Sequence, residues 1–198
     1  NADERFITKA YNIFNLNDFP WKTLSLSTSF RITHEMALFI NKCMIGYDRI
    51  SSNKKVNRKP RYIITDCWEK GRNTLKELEY YFNLGYKPND IFILAPSVRG
   101  KGPIRYLENC LKMNMPNISI YIPLSDDEKL DSDLMEGKLV FSTFHQTKGL
   151  ERKVIIIFNF DYSYFQFFNK TANPDICSNP LYVAVTRASE HLSVFHNY

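Results

Sequence analysis

The run Val154-Ile155-Ile156-Ile157-Phe158 has no polar interruption. A strand that lacks inside–outside alternation is buried on both faces, which is the mark of a central strand in a parallel sheet. Ile91 to Ala95 is a second apolar strand, and Tyr62–Ile64, Ile118–Ile122, Leu139–Thr143 and Leu192–Phe195 read as further strands. Thr23 to Leu26 is a short β-type run. Between these lie helical patterns. Met36, Ile40, Cys43 and Met44 recur at three-to-four spacing, with Thr33 as cap, Glu35 in the first turn and Gly46 as stop. A second helix starts near Thr74, where Thr74 and Glu77 have capping-box spacing. Its buried stripe is predicted as Leu75, Leu78 and Phe82, with Gly85 and Pro88 ending it. Pro103 opens a third helix carrying Ile104, Leu107 and Leu111. Strands alternating with helices of this length predict an α/β fold: an open, mainly parallel sheet flanked by helices, RecA-like. On such folds ligands sit beyond the carboxyl ends of the strands.

Two polar stretches interrupt the pattern, a basic loop from Ser51 to Arg61 and an acidic one from Ser125 to Glu136. The 198 residues suffice for one core. A net charge of +5 is compatible with a polyanionic partner without requiring one. No apolar run approaches the roughly 20 residues of a membrane span, and no signal peptide opens the chain, so a soluble intracellular protein is expected. Cys43, Cys67, Cys110 and Cys177 include no C-x-x-C pair, so they are read as reduced thiols rather than a zinc site or a disulfide framework.

The chemistry concentrates in three segments. In Ser142-Thr143-Phe144-His145-Gln146-Thr147-Lys148-Gly149-Leu150-Glu151 a strand ends in hydroxyl, imidazole and ammonium groups and then turns at a glycine. Such a loop offers donors to phosphate oxygens, and Glu151 offers an acceptor for a ribose hydroxyl. In Leu181-Tyr182-Val183-Ala184-Val185-Thr186-Arg187-Ala188 an arginine stands just before a strand. In Leu26-Ser27-Thr28-Ser29-Phe30-Arg31-Ile32-Thr33 another stands at the start of a helix. Taken singly, each has a plain structural explanation: a capped turn, or an arginine in a surface ion pair.

Taken in order, the three segments resemble motifs V, VI and IV of the UvrD/Rep/PcrA superfamily 1 DNA helicases, in the C-terminal, second RecA-like motor domain. The resemblance implies that Thr143 and His145 face single-stranded DNA while Gly149 and Glu151 face the nucleotide. It implies that Arg187 is an arginine finger, a planar, always-charged group suited to the γ-phosphoryl oxygens, and that Arg31 is a second γ-phosphate sensor. Ser29-Phe30 replaces the family's Asn-Tyr, leaving Phe30 as a packing or nucleotide-flanking aromatic. Ser97 and Arg99, after the strand Ile91–Ala95, sit where a strand end meets the DNA backbone. The opening Ala2 to Ile7 looks like the residues after motif III, so residues 1–22 are expected to be a linker and residues 23–198 the domain itself. Too few residues lie between Arg99 and Ser142 for the large helical insertion of bigger family members.

No G-x-x-x-x-G-K-[ST] phosphate loop occurs, and no Asp-Glu pair follows an apolar strand. ATP and Mg2+ are therefore expected to be held by an N-terminal motor domain outside this chain, and this chain alone should hydrolyse no ATP. A non-catalytic helicase-like binding or scaffold module is the alternative. An RNA helicase is disfavoured, since that branch typically carries F-Q-G-x-E where this chain has Lys148-Gly149-Leu150-Glu151. The basic residues Lys54 to Arg61 and the aromatics Tyr162 to Phe168 are open to phosphate and base contacts or to ordinary solvent and domain-interface roles.

Overall fold

A computed structural model describes residues 27–69 and 71–198. The β-type run Thr23–Leu26 and the opening Ala2–Ile7 lie outside the described residues. The elements run α1 (His34–Phe39), continued by a π-helical turn (Ile40–Ile45), β1 (Arg61–Thr65), α2 (Arg72–Asn83), β2 (Ile91–Ala95), α3 (Pro103–Asn114), β3 (Ile120–Tyr121), α4 (Ser132–Met135), β4 (Leu139–Thr143), β5 (Arg152–Ile157), a π-helical turn (Tyr164–Phe168), α5 (Asn179–Val185) and β6 (Ala188–Asn197). The six strands form one sheet in the order β1-β6-β5-β2-β4-β3, and every pairing is parallel.

The uninterrupted apolar strands are explained by helices on both faces. Along β2, Phe92 and Leu94 pack with Met36 of α1, Ile40 of the π-helical turn that continues it, and Ala184 and Val185 of α5. Ile91, Ile93 and Ala95 pack on the other face with Leu75, Leu78, Leu107 and Leu111 from α2 and α3. Strand β5 divides in the same way, Ile155 and Ile157 against Val154 and Ile156. Among the described residues no helix is long and apolar enough to cross a membrane, and all four cysteines are free thiols.

Local departures from the sequence pattern have physical causes. Thr33 caps α1 by accepting from the Met36 amide at 3.2 Å, as its spacing predicts. The π-helical turn then shifts the phase of the stripe, so that Cys43 faces solvent and Asn41 is buried. Asn41 repays its burial in hydrogen bonds to Ile50 and Arg49. Helix α2 begins earlier than its predicted capping box, at Arg72. The Thr74 hydroxyl donates to the Gly71 carbonyl, and Glu77 turns inward instead. There Glu77 accepts from Arg61 at 2.7 and 3.1 Å and from the Ser193 hydroxyl at 2.6 Å, tying α2 to β1 and β6. Tyr81 takes the buried place expected of Phe82, its hydroxyl bonded to Ser193. Between Ile118 and Ile122 only Ile120 and Tyr121 pair, with the edge of β4.

Candidate functional site

Strands β5 and β6 start side by side, with Arg152 paired to Ala188. The residues immediately before them, Glu151 and Arg187, therefore meet at the amino-terminal edge of the sheet, and the Arg152 amide donates to the Arg187 carbonyl at 3.2 Å. Arg31 arrives from the turn before α1. Its Nε donates to Glu151, and its terminal nitrogen lies 3.5 Å from the Thr186 carbonyl. Three residues from distant parts of the chain thus converge. They do so at the edge opposite to the one expected of ligand sites on an open parallel sheet, because both Glu151 and Arg187 precede their strands.

Each guanidinium is held but not saturated. Arg187 Nε donates to the Val183 carbonyl at 2.9 Å, one terminal nitrogen to the Leu150 carbonyl at 3.3 Å, and the other to the Thr186 hydroxyl at 3.2 Å. A guanidinium has five N–H donors, so one remains on each terminal nitrogen, which is a fork for two oxygens of an anion. Burial, then the neighbouring Arg31 cation, hold the Arg187 guanidinium below its usual range, while Glu151 opposes them. Arg187 stays charged because its ordinary value is so high. Two cations beside one carboxylate leave a local positive charge, and only one oxygen of Glu151 is engaged among the described residues.

The neighbouring elements fix these positions. Residues 144–151 run from the end of β4 back to the start of β5 in tight turns, Lys148 amide to His145 carbonyl and Leu150 amide to Thr147 carbonyl. Gly149 closes this path with φ +90°, a conformation side chains disfavour, and with open space around it. Phe30 is 90% exposed, so it is no part of the core packing.

The four residues assigned to DNA lie elsewhere. Ser97 and Thr143 follow or end β2 and β4 at the carboxyl edge, bridged by Asp126. The Asp126 carboxylate accepts from Ser97 and from the Val98 amide at 2.9 Å, and the Thr143 hydroxyl donates to the Asp126 carbonyl at 3.4 Å. Thr143 is buried, so its hydroxyl serves the loop. Arg99 is exposed and donates to the Pro123 carbonyl. His145 stands apart, exposed at a shallow cavity of about 180 Å³ shared with Lys148 and Asn179.

Sequence reasoning missed three positioning residues. Arg152 heads β5 and donates to the carbonyls of Lys138 (2.8 Å), Ile91 (3.0 Å), Pro88 (3.2 Å) and Met135 (3.3 Å), its guanidinium stacked 4.4 Å over the Phe92 ring. Gln146 joins the Thr143 amide to the carbonyls of Ser125 and Glu128, and so fastens the acidic loop to the turn after β4. Lys54 reaches the carbonyls of Arg31 and Ser189. With Arg58 on His191 at 2.7 Å and Arg61 on Glu77, much of the basic loop serves internal bonds. An arginine heading an apolar strand was the available signal for Arg152; Gln146 and Lys54 lie in segments that stand out in the sequence, but nothing in the linear pattern marked their internal bonds.

No protein-family model matches the chain. It is 30% identical over 186 residues to the "Putative ATP-dependent DNA helicase" of Acanthamoeba polyphaga mimivirus, an alignment that covers 87% of this chain and 26% of that protein. The chain therefore spans about a quarter of the length of that curated relative. Among solved structures, the C-terminal domain of a possible DNA helicase from Lactobacillus plantarum WCFS1 matches with a TM-score of 0.54 at 16% identity, over 85% of this chain and 88% of that one. The chain thus has sequence similarity to part of a helicase-named protein, and its fold resembles that of the C-terminal domain of a possible DNA helicase.

Proposed function

We propose that residues 23–198 are the second RecA-like motor domain of an ATP-dependent DNA helicase or translocase of the UvrD/Rep type, moving 3′ to 5′ on a single strand. The observation that carries this reading is the meeting of Arg31, Glu151 and Arg187 at one edge of the sheet, although Arg31 and Glu151 are 120 residues apart. A scaffold has no physical need for two cations and a carboxylate held with donors and an acceptor to spare. In this reading the free fork of Arg187 takes two oxygens of the γ-phosphoryl group, where charge develops in the transition state. Arg31 supplies the second cation, and the open oxygen of Glu151 accepts a ribose hydroxyl beside Gly149.

The triphosphate and its Mg2+ are assigned to the other motor domain. Among the described residues no cluster of His, Cys, Asp or Glu is arranged to hold a metal ion. An anion between the domains relieves the repulsion between Arg31 and Arg187, so closure is favoured when ATP is bound. Residues 144–151 connect this edge directly to Thr143, Ser97 and Arg99 at the carboxyl edge, with His145 along the path. That connection gives closure a route to the DNA grip.

The test is DNA-stimulated ATP hydrolysis by the polypeptide that carries both motor domains. Arg31→Ala and Glu151→Ala are each expected to lower stimulated turnover at least about tenfold, the worth of one 1.4 kcal/mol contact made in the transition state. The 198-residue chain alone is expected to show none. Turnover unchanged in both variants would favour the binding-module alternative, and stimulated hydrolysis by the chain alone would contradict the assignment of the triphosphate to another domain.

A further inference from the structure

Strand β1 closes one side of the sheet, and its outer row of main-chain N–H and C=O groups meets no main-chain partner among the described residues. The opposite side ends on β3, which is only two residues long and so too short to template another chain. Proteins blunt an open edge with charge, proline or a bulge. In β1 such residues stand only at the ends. Pro60 precedes the strand and Asp66 follows it, while Tyr62-Ile63-Ile64 between them carries no charge. Arg61, the one charged residue of the strand, is engaged with Glu77 of α2.

The apolar centre of this edge is open to solvent. Tyr62 is 46% exposed and Ile64 61%. Both lie on the sheet face that carries α1 and α5, because Tyr62 pairs with Val194 and Ile64 two places on with His196. There the Tyr62 ring meets Phe160 and His196 edge-on, and Ile64 extends past them. The flanks have opposite charge: exposed Lys59 stands before the strand, and Asp66 and exposed Glu69 after it.

We infer that β1 pairs with β1 of a second copy of this chain, antiparallel about a two-fold axis at Ile63, so that two six-stranded sheets become one. A two-fold contact uses the same patch on both copies, so the patch must complement itself. In this register Ile63 faces the partner's Ile63, Tyr62 faces the partner's Ile64, and Arg61 faces the partner's Thr65. Apolar side chains meet across the strands as sheet pairs require. Lys59 of each copy comes within one residue of the partner's Asp66. A parallel pairing would set lysine beside lysine and aspartate beside aspartate, so charge selects the antiparallel one. Joining along this side leaves both ends of the strands uncovered, including the convergence of Arg31, Glu151 and Arg187.

Sedimentation velocity of the 198-residue chain across micromolar concentrations is expected to show a monomer–dimer equilibrium. Ile64→Lys enters the interface twice and should raise the dissociation constant at least about tenfold, with an unchanged urea midpoint because the side chain is exposed. Phe167→Ser, at an exposed aromatic away from this edge, should leave the equilibrium unchanged. Cys43 is the exposed native thiol, and in a Cys43→Ser background Ile63→Cys should give a disulfide-linked dimer with oxidised glutathione. Directly opposed Cα atoms in an antiparallel pair lie about 4.5–5.5 Å apart, within the reach of a disulfide. Cys43→Ser alone should give none. A chain that stays monomeric at every concentration would overturn the inference. So would a dimer indifferent to Ile64→Lys, or one that dissociates with Phe167→Ser, since either places the contact on another surface.

Discussion

Arg152→Met removes the guanidinium that pins the start of β5 and keeps most of its volume over Phe92. The terminal nitrogen nearest the carbonyls of Lys138, Ile91 and Pro88 has two protons for three acceptors, so these bonds are shared rather than additive. Counting two full charge-assisted bonds at roughly 1.5–3 kcal/mol each, and about 1 kcal/mol for the ring contact, gives a gross loss of about 4–7 kcal/mol. Opposing this, burial pushes the Arg152 guanidinium down to about 10, which is the signature of a cation that loses hydration on folding. Methionine escapes that penalty, and water reaches some of the abandoned carbonyls. The net expectation is a destabilisation of about 2–4 kcal/mol. Arg152→Lys keeps the charge and part of the donation and should lose about 1–2 kcal/mol. Urea denaturation followed by circular dichroism reads this as a midpoint lowered by about 1–2 M for methionine at constant slope. A methionine variant within about 0.5 kcal/mol of the parent, below the worth of even one net hydrogen bond, would refute the view that this clamp pins the start of β5.

Gly71 stands at φ +73°, and a Cβ there would lie 2.6 Å from the Tyr106 carbonyl oxygen, so Gly71→Ala should cost about 2–4 kcal/mol in the same urea assay; a neutral effect would contradict the close approach of α2 to α3. Burial first, then Arg58, hold His191 below its usual range. A depressed histidine leaves stability intact above about pH 6.5 and loses it as pH falls toward the folded value, by at most about 1.4 kcal/mol per pH unit. His191→Gln should flatten that slope between pH 7 and 5, and an unchanged slope would assign it to other groups. Asp126→Ala frees the Ser97 hydroxyl and the Val98 amide and removes a negative charge beside them. Single-strand affinity should rise about threefold at low salt, and an unchanged or weaker affinity would remove this strand end from the DNA path.

The apolar runs Ile91–Ala95, Leu139–Phe141 and Val154–Ile157 made β2, β4 and β5 legible, because burial on both faces favours unbroken apolar sequence. Pro103 and the Ile104–Leu107–Leu111 stripe did the same for α3. What the pattern hid is non-local. A π-helical turn moved Cys43 outward and Asn41 inward, which no fixed period anticipates. Glu77 looked like a local capping residue because its partners, Arg61 and Ser193, are remote in sequence. The convergence of Arg31, Glu151 and Arg187 was implied by the ordered motifs, but not the edge on which it occurs. That depends on both residues preceding strands that happen to be neighbours. The Asp126 bridge across Ser97 and Thr143 was invisible for the same reason, since it needs the acidic loop to fold over the ends of β2 and β4. A cleft at the carboxyl ends of β1, β2 and β5, lined by Trp68, Phe167 and Phe168, joins segments that only the sheet order brings together.

Whether Arg187 reaches a triphosphate held by another domain is measured most directly by stimulated kcat for Arg187→Ala in the polypeptide that carries both motor domains. An arginine finger is worth about 10³–10⁵ in turnover. A fall of at least about 10³-fold in kcat is therefore expected, with ATP affinity little changed and only slight recovery in Arg187→Lys, which lacks the fork. Stimulated turnover within about fivefold of the parent, less than about 1 kcal/mol of barrier, would mean that this guanidinium braces Val183 and Leu150 and does nothing to the phosphoryl group.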